Sequence, residues 1–184
     1  MISQLERGQS RPSVGTLFAI ARVLQVPVDT FFAADGALID VEFTEAESNA
    51  TAERRFVGDS PQTPAGAPAA TALVSDAKDV VRAAQRAALD IKGGIRWERL
   101  TSTAIDGVEF LELVYEPGAE SDQQSYSHSG IEMLLVTQGS MTIVLGFEQH
   151  ELAAGDSFAF ESSTPHRYVN SSASETRAVT VILR

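Results

Sequence analysis

The sequence contains no cysteine, which excludes a disulfide framework and cysteine-based zinc sites. It holds three histidines, so any imidazole chemistry rests on His128, His150 and His166. No apolar run approaches the eighteen or so residues that a membrane-spanning helix needs, and no secretory leader pattern opens the chain. A cytoplasmic protein with no membrane partner is therefore expected. Basic charge is scarce as well. Lysine and arginine total 14 against 25 aspartates and glutamates, a net −11, which excludes a chain that coats nucleic acid uniformly. That deficit is uneven. Residues 1–34 carry Arg7, Arg11 and Arg22 against Glu6 and Asp29, a net +1 that leaves −12 for the remainder. Only this head is electrostatically suited to approach DNA, and the acidic remainder is expected to sit away from the duplex.

What the sequence does have is a pair of histidines at suggestive positions. In Ser127-His128-Ser129-Gly130-Ile131-Glu132, an imidazole and a carboxylate lie four residues apart, just ahead of the apolar run Met133-Leu134-Leu135-Val136. On an unbroken strand those side chains would be about 13 Å apart, because the rise is about 3.3 Å per residue. A metal ion needs its donors about 2.0–2.2 Å away. The backbone must therefore bend between them, and Ser129-Gly130 is the place where it can. Further on, Gly155-Asp156 and Ser163-Thr164-Pro165 read as turns around a strand Ser157–Glu161. His166 and Tyr168 then face one way while Arg167 and Val169 face the other. If His166 faces inward, His128, Glu132 and His166 form a two-histidine, one-carboxylate set with open coordination positions. Such a set suits iron(II) and also accepts zinc, manganese or nickel.

These residues resemble the two cupin motifs. Gly118, Tyr126-Ser127-His128, Glu132 and Gly139 follow the first, while Gly155-Asp156, His166 and Asn170 follow the second, over roughly the last hundred residues. The sequence departs from the family where Tyr126 replaces its first histidine and where Glu161 and Ser163 replace a proline and a glycine. Gly118 also lies slightly further ahead of Tyr126 than the pattern asks. A phenol is neutral near pH 7, so Tyr126 is expected to hydrogen-bond a ligand or a metal-bound water. Tyr168, which likewise joins an apolar ring to a polar tip, is the second expected ligand contact. The resemblance implies a double-stranded β-helix, or jelly-roll, barrel.

In the head, Ile2 and Leu5 are at helical spacing before Gly8, and Ser13 can cap a helix through Leu24. Its expected apolar face is Val14, Leu17, Ile20, Ala21 and Leu24. A short third helix is expected to carry Phe31 and Phe32. The wording Ile-Ser-Gln-Leu-Glu-Arg-Gly, Arg-Pro-Ser, Thr-Leu-Phe-Ala-Ile-Ala and Val-Pro-Val-Asp-Thr-Phe-Phe resembles the back half of an XRE, or phage-repressor-like, helix-turn-helix domain. That resemblance implies base contacts from Gln4, with Ser3 beside it, and a phosphate contact from Arg11. The sequence begins inside the corresponding recognition helix. The expectation is a truncated head that binds operator DNA poorly and leaves Ile2, Leu5, Leu17 and Phe18 partly exposed.

The expected organisation is thus mainly β: a partial all-α helix-turn-helix head over residues 1–34, a flexible acidic and Pro/Ala-rich linker over 35–76, and a cupin barrel over 77–184. Strands are expected over Val80 to Ile91, Arg96 to Leu100 and Phe110 to Tyr115. An alanine-rich helix is an open alternative for the first of these. The last strand alternates Val179, Val181 and Leu183 on one face. Together the two halves imply a non-enzymatic transcriptional regulator, a homodimer on operator DNA whose barrel senses a small-molecule effector, with a divalent metal as a possible cofactor. The alternative is a mononuclear non-haem iron enzyme similar to hydroxypropylphosphonate epoxidase, which also joins such a head to a cupin. A bare dimerisation barrel is the third reading.

Overall fold

Among the described residues nine strands form the bulk of the regular structure, because their apolar residues alternate with polar ones at period two. The computed structural model describes residues 10–32 and 80–184. The strands are β1 (Ala88–Ile91), β2 (Ile95–Arg99), β3 (Val108–Tyr115), β4 (Ile131–Gln138), β5 (Ser140–Leu145), β6 (Glu148–Ala153), β7 (Ser157–Glu161), β8 (His166–Val169) and β9 (Thr176–Leu183). One sheet runs β1-β2-β3-β9-β4-β7 and the other β6-β5-β8. Every pairing within them is antiparallel. This is a mainly β barrel of the jelly-roll kind.

The inward faces fill the space between the sheets. Leu111, Leu113, Tyr115, Val136, Met141, Ile143 and Tyr168 are all buried. On β9 the inward set is Ala178, Thr180 and Ile182, so Val179, Val181 and Leu183 lie on the outer face. Asn170 is wholly buried and fastens the loops at one end. Its amide donates to the carbonyls of Tyr115 at 3.0 Å, Glu116 at 3.1 Å and Ser174 at 2.8 Å.

Three expectations require correction here. The stretch from Val80 is neither one long strand nor an alanine-rich helix: a single 3₁₀ turn at Ala83–Gln85 precedes β1. Leu17 and Phe18 are not exposed either. Helix α1 (Val14–Leu24) begins at the Ser13 cap, whose hydroxyl accepts from the Thr16 amide. It lays Val14, Leu17, Phe18 and Ala21 in the same core as the barrel. The buried face is rotated from the expected one, so Leu24 is 54% exposed while Phe18 is 6% exposed.

Gly15 allows this close approach, since a Cβ there would stand 2.6 Å from Asp122 Oδ2 and 3.3 Å from Tyr126 Cβ. A 3₁₀ turn, Val28–Phe32, follows α1 and supplies Asp29, which is paired with Arg99 at 3.2 Å. The 35–76 segment lies outside the described residues. Among those that are described, no helix is long and apolar enough to cross a membrane.

Candidate metal centre

His128, Glu132 and His166 come together through backbone pairing of two loops. The amide of His166 donates to the Tyr126 carbonyl at 2.8 Å, that of Tyr126 to the His166 carbonyl at 3.0 Å, and that of His128 to the Ser162 carbonyl at 3.0 Å. This sets 126–128 against 162–166. The chain then bends at Gly130, whose φ of 106° is in the region that favours glycine. The bend delivers Glu132 onto the inward face of β4.

Glu132 Oε2 lies 3.3 Å from His128 Nε2 and 3.8 Å from His166 Nε2. All three donor groups fall within 4.8 Å of one another. Donors around one ion at about 2.0–2.2 Å stand roughly 3.0–3.4 Å apart, so small movements would complete a coordination set.

The surroundings prepare these atoms as ligands. His166 Nδ1 is 2.8 Å from the Thr164 carbonyl, and His128 Nδ1 is 3.2 Å from the Ser129 carbonyl. A carbonyl only accepts, so each Nδ1 carries the proton and each Nε2 presents a lone pair. Both Nε2 atoms are buried and have no hydrogen-bond partner. The other carboxylate oxygen is already held: Glu132 Oε1 accepts from the Tyr168 hydroxyl at 2.6 Å and from Thr180 Oγ1 at 3.0 Å. Oε2 is thereby left to face the imidazoles. Two unpartnered imidazole nitrogens around one carboxylate oxygen are what a divalent cation would satisfy, so the residues fit such an ion.

Burial pushes the Glu132 carboxyl upward, but His128, the Tyr168 hydroxyl and the neighbouring His166 outweigh it and hold it below the usual carboxylate range. Burial also holds His166 below the ordinary imidazole value, only partly offset by Glu132 and by the Thr164 carbonyl. Tyr126 and Tyr168 are pushed well up, first by burial and then by neighbouring groups that include Glu132, and remain neutral phenols.

The consequence for stability has a definite sign. Between its unfolded value, about 6.5, and its lower folded value, His166 binds more protons when unfolded. The metal-free protein therefore loses stability as pH falls below about 6.5. Glu132 acts in the same sense at lower pH, its contribution being lost as pH drops through its depressed folded value. Chelator-treated protein should melt at a lower temperature at pH 5 than at pH 7.5. A flat profile between those values would contradict the assignment of a buried, neutral His166.

Of the other residues singled out, Tyr126 is half-buried at the mouth, its ring 4.7 Å from that of His166. Tyr168 lies deep in the barrel and touches Glu132. Arg11 is exposed and paired with Asp90 at 3.3 Å. Ser3 and Gln4 lie outside the described residues. His150 is partly exposed beside Glu148, on β6.

Periodicity did not single out Thr180 and Phe18. Thr180 is one hydroxyl between Ala178 and Ile182 on the inward face of β9. Phe18 stacks on His128 with ring centroids 4.0 Å apart. A hydroxyl among the inward residues of the last strand, where Thr176 also lies, was the only signal available for the first, and none existed for the second.

The arrangement defines a jelly-roll barrel with an interior donor cluster, closed by a helix from the N-terminal segment. Residues 111–182 match the family described as cupin domain, and residues 1–31 match the helix-turn-helix family. The chain thus joins an XRE-type helix-turn-helix segment to a C-terminal cupin domain.

Comparison with curated proteins gives no match. Among solved structures, an HTH_3 family transcriptional regulator from Vibrio cholerae is similar at 20% identity, covering 100% of this chain and 79% of that one with a TM-score of 0.58. An RmlC-like cupin from Shewanella frigidimarina NCIMB 400 is 19% identical over 56% of this chain and 88% of its own, with a TM-score of 0.50. The cupin domain of an XRE family transcriptional regulator from Enterobacter cloacae is 21% identical over 50% of this chain and 97% of its own, with a TM-score of 0.44. At these identities the first two likenesses speak to fold alone.

Proposed function

We propose that this chain is a cytoplasmic transcriptional regulator whose barrel binds a small molecule at a divalent metal held by His128, Glu132 and His166. The observation that carries this reading is the pair of buried, unpartnered Nε2 atoms flanking Glu132 Oε2. When bound, the ion would supply positive charge and open coordination positions for a ligand donor; iron, zinc, manganese and nickel all suit such a set. Tyr168 and Thr180 orient the carboxylate, and Tyr126 at the mouth is the side chain placed to meet the ligand. The helix-turn-helix segment, with Ser3, Gln4 and Arg11, is the part that meets operator DNA.

A homodimer belongs to the same reading, because two heads on two half-sites multiply specificity. Ile131, Met133, Leu135 and Leu183 give the outer sheet face an exposed apolar ladder suited to a second copy.

The test is equilibration with each metal in turn, followed by metal analysis, thermal melting and gel shift against random-sequence duplexes. One bound metal per chain, a raised melting temperature and retarded DNA from a particle of dimer mass are expected. A chain that holds no metal and retards no DNA would sink the proposal. Open positions on such a donor set are also what a metal-dependent oxygenase uses, so oxygen uptake by the iron(II)-loaded chain would move the reading to an enzyme.

A further inference from the structure

Phe18 reaches the metal-site residues from outside the barrel. Its ring stacks on the His128 imidazole at 4.0 Å with planes 9° apart, and on Tyr126 at 5.6 Å with planes 19° apart. It meets Trp97 edge-on at 6.1 Å, and the Arg184 guanidinium carbon stands 5.7 Å from its centroid. His128 is therefore both a metal-donor candidate and one wall of an aromatic box around a phenyl group.

The space that this ring shares with Trp97, Tyr126, Glu132 and Tyr168 is about 10 Å³, room for about one water. The ring also lines an open cleft of about 580 Å³, together with Arg22, His128 and Arg184. A single phenyl group thus stands between a large cleft and the donor cluster.

The polar atoms around the ring are poorly served by it. Trp97 Nε1 and His128 Nε2 are buried without a hydrogen-bond partner. A benzyl side chain satisfies neither of them, whereas a flat ring bearing an oxygen would keep the stacking and add the missing partner.

The helix that carries Phe18 is latched at its rim by separable contacts. Ser13 Oγ donates to Asp122 Oδ2 at 2.6 Å, the Val14 amide to the Ser121 carbonyl at 3.2 Å, and the Lys92 amide to the Pro12 carbonyl at 2.9 Å. Arg11 and Asp90 are paired in solvent, where such a bond contributes little.

We propose that Phe18 is an intramolecular placeholder: the barrel takes a flat aromatic molecule bearing an oxygen substituent in the position of this ring, and its entry expels α1. This rests on the reading of the barrel as a sensor and supplies its coupling. α1 lies within the segment that matches the helix-turn-helix family, so ligand and reader compete for one site. The ligand moves the equilibrium only as far as it prefers the undocked state.

Phenol is a suitable probe, and Trp97, the chain's one tryptophan, reports its arrival by fluorescence. Cleavage by trypsin after Arg22, inside α1, reports release of the helix. Phe18→Ala should bind phenol at least tenfold more tightly than the unmodified chain. Asp122→Ala, which keeps the ring but removes the Ser13 contact of the latch, should bind at least threefold more tightly, and it carries the test should Phe18→Ala not fold. Saturating phenol should speed cleavage of the unmodified chain at least tenfold. In Phe18→Ala it should slow cleavage, because phenol then fills the space beneath a docked helix.

Equal phenol affinity in all three proteins, no binding to either variant, or binding without a change in cleavage would each overturn the proposal. The sensor reading fails separately. If the chain holds no metal and retards no DNA while phenol behaves as stated, the placeholder stands without the regulator.

Discussion

Glu132→Ala is expected to lower the affinity for Zn²⁺ by more than about 100-fold, since losing an outer-shell partner alone typically costs about 10–100-fold and this change removes a donor outright. Glu132 is the only carboxylate in the cluster, which it forms with His128 and His166. Its Oε2 lies within 3.8 Å of both Nε2 atoms. Alanine would leave two imidazoles without the negative charge that draws in a cation. The hydroxyls of Tyr168 and Thr180 would also lose the acceptor they share.

Tyr168→Phe is the informative companion. It keeps all three donors and removes only the hydroxyl that orients Glu132, so a loss of about 10–100-fold is expected. Competition with a chromophoric chelator measures both changes. Wild-type affinity in Glu132→Ala would show that the metal, if any, binds elsewhere.

The second large effect is expected at Gly130. A Cβ added there would stand 2.1 Å from the Leu183 carbonyl oxygen and 3.0 Å from its carbonyl carbon. Both atoms are backbone at the end of β9, so neither can swing aside as a side chain would. The φ of 106° adds strain of its own for any residue with a Cβ. Gly130→Ala should destabilise the protein by about 3–5 kcal/mol, a fall in melting temperature of about 6–20 °C for a chain of this size.

It should also weaken metal binding, because relaxing the clash shifts the bend that carries the chain from His128 to Glu132. Gly118→Ala is the control. Its φ is 76°, but nothing lies within 4 Å of the added Cβ, so only backbone strain of about 1 kcal/mol is expected. Equal melting temperatures for the two variants would refute the steric argument.

These two positions also show how much could be read in advance. The need for a bend between His128 and Glu132 followed from the strand rise and from metal–donor distances, and glycine marked its place. The alternation of His166 and Tyr168 against Arg167 and Val169 gave the face of β8 correctly, because period two is a property of the backbone. The Ser13 cap and the end of α1 at Leu24 were equally local, a hydroxyl meeting an amide three residues on.

Period two could not say which face of β9 turns inward. Val179, Val181 and Leu183 are bulkier than Ala178, Thr180 and Ile182, yet the smaller set is buried. There the barrel interior is already filled by Glu132 and Tyr168, and it needs a hydroxyl where Thr180 stands. The burial of Phe18 was hidden for a related reason: an apolar helix face announces that something will cover it, not what.

The sequence by itself determined most of the strands after Gly94, the helix cap, the bend at Gly130 and the three residues that meet at the site, since each depends on chemistry within a few residues of chain. Only the tertiary structure decided that both imidazole Nε2 atoms stay unpartnered, that Thr180 and Tyr168 hold the far side of the carboxylate, and that Phe18 closes the barrel. Those outcomes depend on which distant surfaces compete for one small interior, and that competition is settled by packing.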